Sequence, residues 1–206
     1  MASKFASGAY WNDRQDLIYY RYVDFILRCI AADARSLLDV GTGNCPYPEW
    51  FDWIPARTSI DLMNPYASDA VTGIAGDIFT HPFPDLFDVV TCLQVLEHVP
   101  DAHAFAQRLL ALGKLLVVSV PHRWPAGKIE DHVHDPVDLD KLEQWFDRKP
   151  NYVQSIREPF LESFGDRLIC IYDRDPSRIF DNSLREARIV RAMDGSTKRR
   201  DPSAGS

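Results

Sequence analysis

The chain has 206 residues, 46% of them hydrophobic, and a formal net charge of −7 at pH 7 from 23 Lys and Arg against 30 Asp and Glu. That length suits one domain with a well-covered core, and the acidic balance argues against nucleic acid as the main partner. No apolar run reaches the roughly 20 residues of a membrane span, and the amino terminus MASKFASGAYW lacks a signal peptide's apolar core, so a cytoplasmic protein with no membrane partner is expected.

Asn12 to Ala32 reads as an amphipathic helix, with Ile18, Tyr22, Phe25 and Cys29 as its apolar stripe and Asn12 with Gln15 as a capping pair. Near-continuous apolar runs then predict strands at Ser36–Val40, Thr58–Leu62, Phe87–Leu93 and Lys114–Val120. Such runs belong to parallel strands covered on both faces. Asp101–Leu112 predicts a crossover helix with Ala102, Phe105, Ala106, Leu109 and Leu110 inward; Asp138–Phe146 predicts another. Beyond Pro150, Tyr152–Phe160 and Arg167–Arg174 predict an antiparallel pair, joined by LESFGD with a turn at Gly165–Asp166. The whole is an α/β open sheet ending in a hairpin. Residues 1–180 are expected to form the domain. Residues 178–206 carry a net +3, leaving −10 for the rest, and 181–206 read as a basic, disordered tail. The four cysteines, Cys29, Cys45, Cys92 and Cys170, show no CxxC spacing, which disfavours a zinc ribbon or redox pair.

The chemistry begins at LLDVGTGN. The first strand leaves through Gly41 and Gly43, where glycine permits a sharp turn and close approach of a ligand to backbone N–H groups. Twenty residues after Gly41, Asp61 closes the second strand, where a carboxylate can accept both hydroxyls of a ribose. Asp77, in AGDIF, is a third acid at a third strand end. A dinucleotide site requires a third glycine where this chain has Pro46, which disfavours a nicotinamide-dependent oxidoreductase.

LLDVGTGN, SIDLMNP, GDI and FDVVTCLQVLEHV, in this order and spacing over residues 36–120, resemble the class I S-adenosylmethionine (SAM)-dependent methyltransferases. The resemblance implies a Rossmann-like, mostly parallel seven-stranded sheet with a C-terminal antiparallel hairpin. It implies SAM as cofactor, contacted by Asp39, Gly41, Gly43, Asp61, Leu62, Asp77, Ile78, Leu93 and Gln94. In the family an N-terminal segment often closes over the cofactor; here Tyr10, Trp11 and Arg14 either take that part or anchor a helix start by aromatic packing. Cys45 and Pro46 depart from the family's common third glycine.

Methyl transfer from a sulfonium needs an acceptor held in line and, for a hydroxyl, a group to take its proton. Candidates follow the fourth and fifth strands: Glu97 and His98, then His122, His132 and His134. A neutral imidazole, with an unperturbed pKa of about 6.5, suits that task near pH 7. His132, His134 and Asp135 form a His-x-His-Asp run, but no third ligand is identifiable in the sequence and no metal is assigned. The expected reaction is methylation of a small-molecule or glycan acceptor at a hydroxyl oxygen; a non-catalytic SAM-binding module is the alternative.

Overall fold

The computed structural model describes residues 8–159 and 165–180. In chain order it contains α1 (Gly8–Asn12), α2 (Ile18–Ile30), β1 (Ser36–Val40), β2 (Ala56–Asp61), β3 (Thr72–Ala75), β4 (Phe87–Leu93), α3 (Ala102–Leu112), β5 (Gly113–Pro121), α4 (Leu139–Phe146), β6 (Tyr152–Arg157) and β7 (Asp166–Asp173). Single 3-10 turns lie at Tyr47–Trp50 and Leu96–His98. The expected basic tail and most of the LESFGD connection lie outside the described residues.

One seven-stranded sheet runs β3-β2-β1-β4-β5-β7-β6. The first five strands are parallel, with Leu38 of β1 opposite Thr58 of β2 and Val90 of β4. β7 pairs antiparallel with both β5 and β6, which is the expected hairpin. This is the Rossmann-like methyltransferase architecture. Neighbouring residues of one strand feed opposite cores, which explains the continuous apolar runs. Leu38, Val90 and Leu116 pack with α3 and α4 through Leu109, Leu142 and Phe146. Leu37, Val89 and Leu115 pack on the other face with Val23, Leu27 and Phe51. Asp101 and Asp138 cap α3 and α4, accepting from the N–H of Ala104 and Lys141.

The N-terminal helix differs from expectation in three ways. It is split: Asp13 to Leu17 breaks the run between α1 and α2. Its buried face is Tyr19, Tyr20, Val23, Ile26, Leu27 and Ile30, while Ile18 and Phe25 of the expected stripe are 41% and 50% exposed. Its cap is not the Asn12–Gln15 pair. Glu158, just past β6, accepts from the N–H of Ile18 at 2.7 Å and of Tyr19 at 2.9 Å. A remote carboxylate thus satisfies the helix N-terminus. Smaller corrections fall at strand ends: β2 stops at Asp61 and β6 at Arg157.

Candidate active site

β1, β2, β3 and β4 all end on one side of the sheet, and the chain reverses there from β1 to the 3-10 turn at Tyr47. Gly41 takes φ +79° and Gly43 φ +57°. A Cβ on Gly41 would meet a Val95 methyl at 2.5 Å, so glycine is required by both conformation and space. The Gly41 N–H donates to the Ile60 carbonyl, tying this loop to β2. Behind the loop lies Asp39, fully buried. Its carboxylate accepts from the hydroxyls of Thr42 (2.7 Å), Thr91 (2.6 Å) and Tyr47. Burial pushes its pKa up to about 6, against the opposing pull of those three donors and with help from the charge of Asp61.

A cavity of about 530 Å³ opens between these strand ends. Among the residues that wall it are Gly41, Gly43, Asp61, Leu62, Asp77, Ile78, Leu93 and Gln94, expected from the sequence, and Thr42, which was not. Asp39 is the exception: it does not line the cavity but holds Thr42 and Tyr47, which do. Asp61 is anchored by the N–H groups of Gly43 (3.2 Å), Met63 (2.9 Å) and Asn64 (2.9 Å). Asp77 accepts from Phe79 N–H at 2.9 Å. Gln94, at φ 60°, donates through its side chain to Ser119 Oγ.

Sequence reasoning missed several wall residues. Leu62 was expected, but Met63 and Phe79 join it as large apolar side chains left 66% and 47% exposed around the same opening. Grouped exposed apolar surface at a cavity rim marks a place for an apolar ligand face. Tyr20 and Tyr47 line the opposite end, with rings 4.9 Å apart. Cys45 is buried there in the place of the third glycine. The N-terminal residues divide their roles. Tyr10 reaches the cavity, Trp11 packs on Tyr20 and Trp50, and Arg14 lies over the Tyr10 ring.

The remaining wall is His98, Val99, Pro100 and Asp131. His98 Nδ1 donates to the Asp131 carbonyl at 2.9 Å, the direction fixed because a carbonyl only accepts. Glu97 beside it is 1% exposed, and neither carboxyl oxygen has a hydrogen-bond partner among the described residues. Burial, opposed by the nearby backbone N–H of Glu97 itself and by Arg167 and reinforced by the charges of Asp135 and Asp131, pushes its pKa up to about 8. The loop after β5 folds onto this turn through Val133 N–H to the Glu97 carbonyl. It brings His132 edge-on to His98, ring centroids 4.7 Å apart, and stacks it on Trp124.

The loop histidines therefore separate. His132 joins Glu97 and His98, each of the three offering a possible ligand atom within 4.8 Å of the others. His134 turns away, with Nε2 on the Val99 carbonyl and its ring against Trp145. His122 does not line the cavity, and burial and Arg123 hold its pKa below the usual histidine value. The His132–His134–Asp135 set is thus not what the fold gathers: Asp135 bonds His132 Nδ1 at 2.7 Å instead. A second cleft, of about 590 Å³, contains Asp88, Lys114, Asp173 and Arg178. Its charges pair with one another, Lys114 on Asp88 at 2.8 Å and Arg178 on Asp173 at 2.6 Å. Among the described residues no helix is long and apolar enough to cross a membrane.

Comparison with known proteins agrees with this geometry. The N-methyltransferase NodS from Bradyrhizobium japonicum WM9, solved with S-adenosyl-L-homocysteine, is 15% identical, with a TM-score of 0.62 over 84% of this chain and 95% of that one. The Burkholderia thailandensis 1,6-didemethyltoxoflavin-N1-methyltransferase is 19% identical, with a TM-score of 0.60 over 80% and 84%. The Haloferax volcanii putative methyltransferase, solved in complex with the Trm112 activator, is 12% identical, with a TM-score of 0.58 over 84% and 99%. These likenesses are of fold. No curated protein matches the sequence. The family model described as a methyltransferase domain matches residues 10–163, three quarters of the chain. The chain belongs to this family of methyltransferase domains, enzymes whose methyl donor is SAM.

Proposed function

We propose that the cavity holds SAM with its ribose hydroxyls on Asp61 and its adenine beside Leu62, Asp77, Ile78 and Phe79. Its methionine end then lies toward Gly41, Gly43 and Tyr20. The observation that carries this reading is the single cavity wall shared by the glycine loop and the two strand-end acids Asp61 and Asp77. Leu93 and Gln94 offer backbone groups at its centre.

The acceptor is a small molecule or glycan presenting a hydroxyl, received at the wall formed by His98 and Asp131. A neutral amine attacks through its own lone pair, whereas a hydroxyl must shed its proton as it reacts. The imidazole and carboxyl groups gathered here favour the hydroxyl. The acceptor oxygen attacks the methyl carbon in line with the C–S bond. That bond breaks as the C–O bond forms, its electron pair returns to sulfur, and the hydroxyl proton leaves to Nε2 of His98, which lines the cavity. The products are S-adenosylhomocysteine and a methyl ether.

The test is conversion of SAM to S-adenosylhomocysteine across a panel of hydroxylated small molecules, short glycans and matched amines. Acceptor-dependent turnover on hydroxyls supports the reading. Turnover only on amines would overturn the acceptor assignment, and SAM binding without turnover on any acceptor would favour a non-catalytic SAM-binding module.

A further inference from the structure

We propose that Glu97, His98 and His132 form a binding site for a first-row divalent transition cation at the acceptor wall of the cavity. The placement rests on the reading that this wall receives the acceptor; the site itself rests on three observations.

The first is proximity across the fold. Glu97 and His98 come from the turn after β4 and His132 from the loop after β5, yet one candidate ligand atom of each lies within 4.8 Å of the others. Metal bonds of about 2.0–2.2 Å place ligand atoms roughly 3–3.5 Å apart. Small side-chain rotations therefore close the set. His98 Nε2 already stands 3.9 Å from Glu97 Oε1, too far for a hydrogen bond.

The second is Glu97. Its carboxyl group is 1% exposed and both oxygens lack a hydrogen-bond partner among the described residues. Buried carboxyl oxygens are normally satisfied, and leaving them so is costly. The acids Asp131 and Asp135 stand nearby and add to that cost. A bound cation removes both penalties at once.

The third is how the imidazoles are held. His98 Nδ1 donates to the Asp131 carbonyl at 2.9 Å, and His132 Nδ1 donates to Asp135 Oδ2 at 2.7 Å. The latter pair is almost sealed, its side chains 6% and 1% exposed. Oxygen acceptors on Nδ1 put the lone pair of each ring on Nε2. This is the outer support that orients metal-binding histidines and strengthens their basicity.

Two imidazoles and one carboxylate suit Mn²⁺, Fe²⁺, Co²⁺ or Zn²⁺ rather than Mg²⁺ or Ca²⁺. Three protein ligands leave positions for an acceptor oxygen, and a hydroxyl on such an ion loses its proton more readily; with the ion bound, the three side chains serve as ligands and the proton passes to water instead of to His98. The substrate class that follows is an oxygen-bearing small molecule that can ligate the ion as it is methylated.

The experiment titrates the full-length chain with Mn²⁺, read by loss of the free-ion EPR signal, and with Zn²⁺ by calorimetry. The same samples are titrated with S-adenosylhomocysteine. One equivalent of each ion is expected, with Zn²⁺ the tighter. Asp135→Asn should weaken uptake by about 10–100-fold, and Glu97→Gln and His132→Ala by at least about tenfold. S-adenosylhomocysteine affinity should stay within about twofold in all three, which reports an intact fold. A wild-type protein that binds S-adenosylhomocysteine but neither ion overturns the cation site and leaves the donor pocket standing. Ion uptake equal in wild type and all three variants also overturns it. Ion uptake lost in the variants, with no S-adenosylhomocysteine binding by wild type, supports the cation site and counts against the donor reading.

Discussion

Asp61 accepts three backbone N–H groups, from Gly43, Met63 and Asn64, and so arrives at the cavity wall already aimed. A preset carboxylate loses little freedom when it accepts ribose hydroxyls. Asp61→Ala should cost about 2–4 kcal/mol of SAM affinity by calorimetry; an unchanged dissociation constant would refute the ribose assignment. Asp39 shapes the loop from behind and carries a different signature. Its folded pKa, about 6, lies above its ordinary value of 3.8 because burial disfavours the charged form. The favourable contribution of its protonated form is complete below about pH 3.8 and is lost as pH rises through 6. Asp39→Asn keeps the oxygen that serves Thr91 and Tyr47 but cannot ionise. The stability of wild type relative to Asp39→Asn should therefore fall between about pH 4 and 7, by up to about 3 kcal/mol at roughly 1.4 kcal/mol per pKa unit. Denaturant midpoints at the two ends of this range check it; a rise in the wild type's relative stability would contradict it.

At the scale of elements, α2 depends on a residue 140 positions away. Glu158 is 2% exposed and supplies the only side-chain acceptors at the N–H groups of Ile18 and Tyr19 among the described residues. Glu158→Ala leaves the buried Tyr19 donor and the part-buried Ile18 donor unmet and should destabilise the protein by about 1–3 kcal/mol, seen as a melting point lower by several degrees. A melting point unchanged would mean that water or another group caps the helix. This cap was not legible in the sequence, because local pattern favours a nearby Asn–Gln pair over a glutamate at the far end of the chain. The rotated face of α2 has the same origin. Tyr20, with Tyr19 packed against it, meets an aromatic patch of Trp11, Tyr47 and Trp50 that periodicity alone does not locate. By contrast, β1, β4, α3 and α4 were legible nearly to the residue, since their buried positions follow from chain-local rules: apolar runs, period 3.6 and an aspartate at each N-cap. The glycine loop with Asp61 and Asp77 was legible because strand-end acids follow chain order in a parallel sheet. The partition of the histidines was not. His122, His132 and His134 share one loop, and only tertiary packing sends His132 to Glu97 and His134 to Val99. That partition predicts kinetics. His98→Ala and His132→Ala should lower turnover by about 10²–10⁴-fold with little change in SAM affinity. His122→Ala should stay near wild type; a loss equal to that of His132→Ala would mean that the loop after β5 acts as a unit.

For the molecule as a whole, the sheet order sets two ends against one another across a single opening. β1, β2 and β3 deliver Gly41, Asp61 and the approach to Asp77, while the segments after β4 and β5 deliver His98 and Asp131. Ligands of open α/β sheets bind at the carboxyl ends of strands near such a reversal of order. The cavity of about 530 Å³ falls within the range of small-molecule sites. Pro46 stands where a dinucleotide loop keeps its third glycine. Which nucleoside the cavity accepts therefore decides between methyl transfer and hydride transfer. Calorimetric titration of the full chain with S-adenosylhomocysteine, and in parallel with NAD, decides it. The prediction is one site of micromolar affinity, about −8 kcal/mol, for S-adenosylhomocysteine, weakened in Asp61→Ala, with no heat from NAD. A folded protein that gives no heat with S-adenosylhomocysteine, or that binds NAD as tightly, would contradict it.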